Sequence, residues 1–418
     1  MAAGLKPSGK PDLALIVCDA PDPAVVRGAG HPIEARRSAA AVFTRNAVVG
    51  APVEIGRRWR AAAARGGEAG ALRAVLVNAG TANAATGEQG VRDAEACMRA
   101  VAGALGCRME EVLPSSTGVI GPRIPVEKIV EAAPRLAAQL ARGEEADASA
   151  ARAIMTTDLV PKGAHREVEL FGHKVQIGAI AKGSGMIAPR LDSSAAPPLP
   201  QATMLAFITT DAAISHRALQ RALESSSRES FDRISVDAHP SCSDTVIAMA
   251  SGAAAMPVLH EDMPEYHGFR AALQSLCEDL AEQIVRDGEG ASRTFRVTVR
   301  GARSVEEAEK MARAVVDSPL VKCAVHGKDP NWGRIVTAAG NAGVWFDASA
   351  ASLSIGGVEV YRHGVPTGVA RTDQRLREAM SADRVEMVLT VGNGEASAWM
   401  IGCDLSAEYV RINADYTT

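Results

Sequence analysis

The stretch KGSGMIAPRLDSSAAPPLPQATMLAFITTD, Lys182 to Asp211, sets a threonine behind a small residue and in front of a continuous apolar run. Met204, Leu205, Ala206, Phe207 and Ile208 offer no face to water, so they predict a strand buried on both sides. An Ala-Thr pair at that place is also an ordinary beginning for a core strand. It has a chemical reading as well. A threonine hydroxyl without a neighbouring base is a weak nucleophile, whereas a threonine at a chain terminus carries its own base, the freed α-amine. Cleavage between Ala202 and Thr203 would make Thr203 such a residue and leave the strand behind it as a rigid mount. Ahead of the pair, Arg190 to Gln201 is rich in Ser, Ala and Pro and predicts a solvated loop.

Outward from this point the pattern is mixed α/β. Ala74 to Val77 and Val175 to Ile180 predict strands, and Arg92 to Leu105 and Val126 to Leu140 predict helices from their alanine content and apolar spacing. Phe269, Leu273, Leu276, Leu280 and Ile284 recur at helical spacing, and this helix is expected to stop at Asp287-Gly288. Thr294 to Val299 alternates as a strand, Ser304 with Glu307 reads as a capping box opening a helix, and Leu320 to Val325 reads as a further strand. These elements predict a second layered unit in the C-terminal third.

Composition narrows the function classes. The chain has 418 residues, 47% of them hydrophobic and 22% charged, enough to bury a large core in two or more domains. Its formal net charge of -4 gives no footprint for nucleic acid, and no basic run suggests a membrane surface. The seven cysteines are odd in number and lack a C-x-x-C pair, as expected of reduced thiols in a cytoplasm. The histidines show neither H-x-x-x-H nor H-x-x-E-H spacing, so no metal site is expected. No run is long and apolar enough for a signal peptide or a membrane span, and a cytoplasmic location is expected.

Longer motifs carry more. They are AGLKPSGKPDLALI (Ala3 to Ile16), VFTRN (Val42 to Asn46), NAGTANAATGEQG (Asn78 to Gly90), PSSTGVIG (Pro114 to Gly121), IMTTDLVPK (Ile154 to Lys162) and IAKGSGMIAP (Ile180 to Pro189). ATMLAFITTDA (Ala202 to Ala212), VRDGEGA (Val285 to Ala291), HGKDPNWGRI (His326 to Ile335) and YVRINADYTT (Tyr409 to Thr418) follow. In this order they resemble the ornithine acetyltransferase or glutamate N-acetyltransferase family of arginine biosynthesis, across almost the whole chain. The family pattern has two residues between Ala-Pro and Ala-Thr where this chain has Arg190 to Gln201. It has a glycine after the aspartate where this chain has Asp237-Ala238, and Asn-Ser-Gly-Asn where Asn78-Ala79-Gly80-Thr81 stands.

The resemblance implies an α/β fold, a layered α-β-β-α sandwich with a smaller C-terminal α/β domain. It implies self-cleavage between Ala202 and Thr203, giving fragments 1–202 and 203–418 that stay associated as a dimer of pairs, with the smaller unit at about residues 285–390. It implies transfer of an acetyl group from N-acetylornithine to glutamate through an acetyl-Thr203 intermediate. Thr117 and Gly118 would line the oxyanion hole, and Thr156 or Thr157, Lys182, Thr203, Glu289, Asn413 and Thr418 would bind substrate. The residues themselves fit that chemistry: a small-residue hydroxyl motif for an oxyanion, a lysine for a carboxylate, a glutamate for an ammonium. No metal or organic cofactor is implied, and acetyl-CoA stays open as a second donor. A self-processed threonine amidase or aminopeptidase, and an uncleaved amino-acid-binding protein, are the alternatives.

Overall fold

Apolar runs too short for a helix become strands here, and alanine-rich stretches with one apolar stripe become helices. The computed structural model describes residues 1–19, 37–65, 71–192 and 204–415. In chain order its elements begin with β1 (Leu13–Val17), β2 (Ser38–Thr44), α1 (Ala51–Ala63), β3 (Ala74–Thr81), α2 (Gly87–Leu105), β4 (Val112–Val119), α3 (Val126–Ala138) and α4 (Glu144–Ile154). There follow β5 (Lys162–Leu170), β6 (His173–Lys182), β7 (Leu191–Asp192), β8 (Leu205–Thr210), α5 (His216–Glu229), β9 (Ile234–Ser235), β10 (Thr245–Ala250) and α6 (Glu265–Arg286). Two units result, Met1–Asp232 with His239–Ile284, and Arg233–Ala238 with the described residues from Val285 on.

The first unit holds a three-stranded sheet ordered β1-β3-β4 and a six-stranded sheet ordered β5-β6-β8-β10-β2-β7. Their facing sides share one core. Leu13, Val75, Val77 and Leu113 of the smaller sheet cluster with Phe43, Leu205, Phe207, Ile247 and Met249 of the larger, and with Trp59, Val101, Ile129 and Ile154 from α1 to α4. Ala206, Ile208, Val246 and Ala248 alternate onto the opposite face of the larger sheet and are just as buried. This is the layered α/β sandwich. The predicted strand after Thr203 is β8, and it lies in the interior of its sheet. At the sheet's edges glutamines take the place of a further strand. Ala41 N of β2 donates to Gln220 Oε1 of α5 at 3.0 Å and Gln220 Nε2 donates to Ala41 O at 3.0 Å. Gly163 of β5 exchanges the same two bonds with Gln283 of α6, at 3.2 and 3.0 Å. Both helices thus satisfy backbone groups that an open edge would expose.

The loop expected from Arg190 begins as structure. Leu191 and Asp192 form β7, paired with Thr44 and Phe43, because Leu191 has an apolar side chain to bury. Residues 193–201 of that expected loop lie outside the described residues.

In the second unit the order is β14-β13-β12-β15-β11-β16-β9, with β11 (Thr294–Ala302), β12 (Ser352–Ile355), β13 (Val358–Arg362), β14 (Val365–Pro366), β15 (Arg384–Thr390) and β16 (Ala396–Cys403). Its helices are α7 (Val305–Val316), α8 (Pro319–His326), α9 (Trp332–Gly340), α10 (Gln374–Ser381) and α11 (Ala407–Asp415). Ser304 caps α7 by accepting from Glu307 N at 3.2 Å, as its spacing predicts. Leu320 to Val325, read as a strand, is the body of α8. Ser318 accepts from Val321 N, Pro319 occupies the first turn, and Val321 and Val325 share the buried face at a spacing of four. The local cap outweighs the β-branched composition. The HGKDPNWGRI motif builds this unit. His326 Nδ1 bonds Asp404 Oδ2 at 2.7 Å, Asn331 caps α9, and the Trp332 ring stacks on Tyr361 with centroids 5.3 Å apart. The Asp404 carboxyl, which burial would raise, is held low by Ser292, His326 and the Ser292 and Arg293 amides.

Candidate active site

Ser115 to Gly118 continues β4 beside β3 in parallel register. Of its hydroxyls, that of Ser116 finds a partner on the neighbouring strand. Ser116 Oγ donates to Asn78 Oδ1 at 2.6 Å, and Asn78 Nδ2 donates to Thr81 O at 2.8 Å. At Gly118 the two strands crowd together. Its φ is +126°, and an added Cβ would lie 2.3 Å from the carbonyl carbon of Gly80. Only glycine fits such a backbone. The Thr117-Gly118 unit is therefore rigid and closely packed, as a preset pair of hydrogen-bond donors requires.

Lys182 ends β6, opposite Leu205 at the start of β8. Its ammonium donates to Thr156 Oγ1 at 2.9 Å and to Thr117 Oγ1 at 3.3 Å, so Thr156 rather than Thr157 is the threonine it meets. The Thr117 oxygen accepts here, which leaves its own hydrogen for another acceptor. Lys182 is 2% exposed. Such a charge needs a counter-ion, and Asp158 supplies it. Asp158 Oδ1 accepts from Lys162 Nζ and from Gly183 N, both at 2.7 Å. Oδ2 accepts from Thr156 N at 3.0 Å and lies 3.9 Å from Lys182 Nζ. Burial pushes this carboxyl up, but Lys182, Lys162 and the donated hydrogen bonds outweigh it and hold it at about 2. Lys6 belongs to the same field: burial lowers its pKa, Asp12 raises it and Lys182 lowers it further. Lys182 and Lys162 therefore share the Asp158 carboxylate.

Neither Asp158 nor Lys162 is singled out by the sequence. Both lie inside IMTTDLVPK, but isolated charges four residues apart read first as a solvated pair. Only the tertiary fold shows that both side chains are wholly buried.

The other flank of β8 is β10, whose Thr245 stands opposite Leu205 in parallel register. Thr245 N donates to Met204 O at 3.0 Å, and Met204 N donates to Asp244 Oδ1. Met204 and Asp244 are both fully buried. Burial is the main cause that puts the Asp244 carboxyl well above the usual carboxylate range, against the opposing Met204 amide and Lys182 charge. The residue following Thr203 is therefore framed by the end of β6 on one side and the start of β10 on the other. Ala202 and Thr203 lie outside the described residues, as does Thr418.

Glu289 and Asn413 belong to the second unit. Asn413 Nδ2 on α11 donates to Glu289 Oε2 at 2.8 Å and to Tyr409 O at 3.0 Å. The loop bearing Glu289 runs close under this helix, since an added Cβ on Gly290, at φ +68°, would stand 2.5 Å from Tyr409 N. Tyr409 OH donates to Asp237 Oδ2 at 3.3 Å, which gathers acidic groups around this pair. Among the described residues no group of three His, Cys, Asp or Glu comes together to hold a metal, and no helix is long and apolar enough to cross a membrane.

Comparison with known proteins agrees with the motifs. The ArgJ family model matches residues 1–418. The arginine biosynthesis bifunctional protein ArgJ of Thermosynechococcus vestitus is 43% identical, over 100% of this chain and 95% of the relative. That of Bacillus cereus is 39% identical, over 100% of this chain and 93% of the relative. A crystal structure of arginine biosynthesis bifunctional protein argJ from Bacillus halodurans, 42% identical, covers 51% of this chain and 100% of its own, with a TM-score of 0.49. With its whole length matched, the chain belongs to the ArgJ family.

Proposed function

We propose that this protein transfers an acetyl group from N-acetylornithine to glutamate by double displacement, on a threonine it frees by cutting its own chain between Ala202 and Thr203. The observation that carries the reading is the Lys182 ammonium. It touches the hydroxyls of Thr117 and Thr156 at the end of the strand opposite Leu205, two residues from Thr203. Membership of a family of arginine biosynthesis proteins supports the substrate class.

Thr203 Oγ attacks the acetyl carbonyl while its α-amine takes the proton. Charge then develops on the carbonyl oxygen, where the Thr117 hydroxyl and the Gly118 backbone amide donate to it. Collapse breaks the C–N bond, the proton passes to the leaving nitrogen, and ornithine departs from an acetyl-Thr203 ester. The glutamate amine attacks that ester, the hydroxyl is restored and N-acetylglutamate leaves. Lys182 takes the substrate carboxylate. Glu289, held by Asn413, takes the ammonium, and Thr418 completes the substrate contacts. Acetyl-CoA, as a second donor, would load the same threonine. The two fragments stay together and act in the cytoplasm as a dimer of pairs.

The test is intact mass under denaturing conditions beside a Thr203→Ala control, followed by an exchange assay with N-acetylornithine or acetyl-CoA as donor and glutamate as acceptor. Two fragments meeting at residues 202 and 203, with exchange absent in the control, is the expected result. Release of free acetate without exchange would make the enzyme an amidase. An intact chain with no turnover would leave a binding protein.

A further inference from the structure

Lys6 is a second cation at the end of the smaller sheet where the Thr117-Gly118 unit stands. β3 and β4 run parallel and pair through Gly80 and Gly118 near their carboxyl ends. β1 runs antiparallel to β3, with Leu13 opposite Asn78, so the segment that precedes β1 lies at this same end. Open α/β sheets take their ligands at the carboxyl ends of their parallel strands. A Cβ added at Gly80 would stand 3.2 Å from Leu5 O and 3.4 Å from Lys6 Cγ, so the lysine stem packs on backbone that carries no side chain. Its ammonium donates to Pro11 O at 2.6 Å and to Ala153 O at 3.4 Å. Ala153 lies three residues ahead of Thr156, the threonine that Lys182 touches.

The mount of this lysine is fixed by a buried acid. Asp12, wholly buried, accepts from the amides of Ala3, Leu5 and Lys6 at 2.6, 2.5 and 3.0 Å, a nest of backbone donors closed on one carboxylate. Carbonyls take two of the three ammonium hydrogens, and among the described residues no carboxylate lies within ion-pair distance of Lys6. Burial and the Lys182 charge both act against the Lys6 ammonium, with Asp12 acting for it. An anion arriving there favours the charged form.

The two substrates of the proposed reaction differ in charge. N-acetylornithine carries one carboxylate and an ammonium, whereas glutamate carries two carboxylates beside the amine that attacks. Lys182 serves the carboxylate common to both, which leaves the second carboxylate of glutamate in need of a cation. We propose that Lys6 is a specificity-determining residue: its ammonium takes the carboxylate that the acceptor has and the donor lacks. This rests on the reading of glutamate as acceptor. The charge-assisted bond forms only in the second half of the exchange, so it favours an acidic acceptor over an uncharged one.

The test compares wild-type protein with Lys6→Met and Lys6→Arg in the exchange assay, with glutamate or glutamine as acceptor. Intact mass and thermal melting first establish that the chains are processed and folded alike. The wild type is expected to exchange with glutamate. If it does not, the reading of the reaction fails first and this inference falls with it. Lys6→Met is expected to raise KM for glutamate roughly 10-fold or more, with KM for N-acetylornithine raised less than about twofold. Lys6→Arg, which keeps the charge, should restore most of the difference. An equal rise in KM for donor and acceptor, as a merely structural role would give, overturns the proposal. So does a Lys6→Met protein that keeps the wild-type ratio of kcat/KM for glutamate over glutamine. If Lys6→Met melts well below the wild type, Lys6→Gln, which can still donate to Pro11 O, repeats the comparison with the same outcomes.

Discussion

Asp158→Asn should expose how much the buried lysines depend on their counter-ion. The substitution keeps the size of the side chain and an oxygen for Gly183 N, but removes the carboxylate shared by Lys162 and Lys182. Taking one partner from a buried ion pair costs about 3–5 kcal/mol, and the retained acceptor places the expected loss near the lower figure. A second signature lies in the pH dependence. The Asp158 carboxyl is held at about 2 in the folded protein against 3.8 ordinarily. Its folded value is depressed, so its contribution is complete above about pH 4 and is lost as pH falls toward about pH 2, a change of roughly 2 kcal/mol. The asparagine has nothing to titrate there. Urea denaturation followed by circular dichroism, in a Thr203→Ala background that keeps the chain in one piece, measures both effects. The gap between the two proteins should be about 3 kcal/mol near neutrality and should shrink by roughly 2 kcal/mol on acidification. A gap below about 1 kcal/mol at neutral pH, or curves that stay parallel through the acid range, would refute the reasoning.

Other substitutions follow from single contacts. Thr117→Val removes the hydroxyl that Lys182 leaves free to donate, and should lower kcat about 10²–10³-fold in the exchange assay with KM changed far less. Gly118→Ala drives a methyl into the Gly80 carbonyl from a backbone that disfavours any side chain, so it should cost more than about 3 kcal/mol by urea denaturation or abolish folding. Ala238 sits at φ +57°, where a glycine would relax, and Ala238→Gly should stabilise the protein by about 0.5–1 kcal/mol, read as a rise in melting temperature.

The elements most legible in the sequence are those that settle their own register. Phe269 to Ile284 repeats on one face and is a helix with every one of those side chains wholly buried. The run from Met204 has no face for water and becomes an interior strand. Leu320 to Val325 misled because β-branched residues on a short buried helix look like a strand until the Ser318-Pro319 cap is weighed. Ser115 to Gly118, small polar residues of a kind that usually turns, are held extended by Asn78 and the crowding at Gly80. Of the site, Lys182 and Thr117 were legible through their motifs, and the structure adds the distances between them. Asp158 and Lys162 were not. A charge declares its burial only through what the rest of the chain packs over it.

The order of the six-stranded sheet bears on how such a protein could ever come apart. Reading across it, β5 and β6 come from before residue 203, β8 and β10 from after it, and β2 and β7 from before it again. Gln220 and Gln283 then reach back from the later part of the chain to the outer strands of the earlier part. A cut at residue 203 would sever the chain without opening a seam, because the two products are woven strand between strand. They could separate only by dismantling the sheet. Folding before the cut is a unimolecular search, whereas folding after it would need two pieces to meet, so its rate would fall on dilution. The uncut chain would then serve as the template for an assembly that its own products rebuild only slowly. The lifetime of the working enzyme would be set by how rarely the sheet unravels rather than by any equilibrium between subunits.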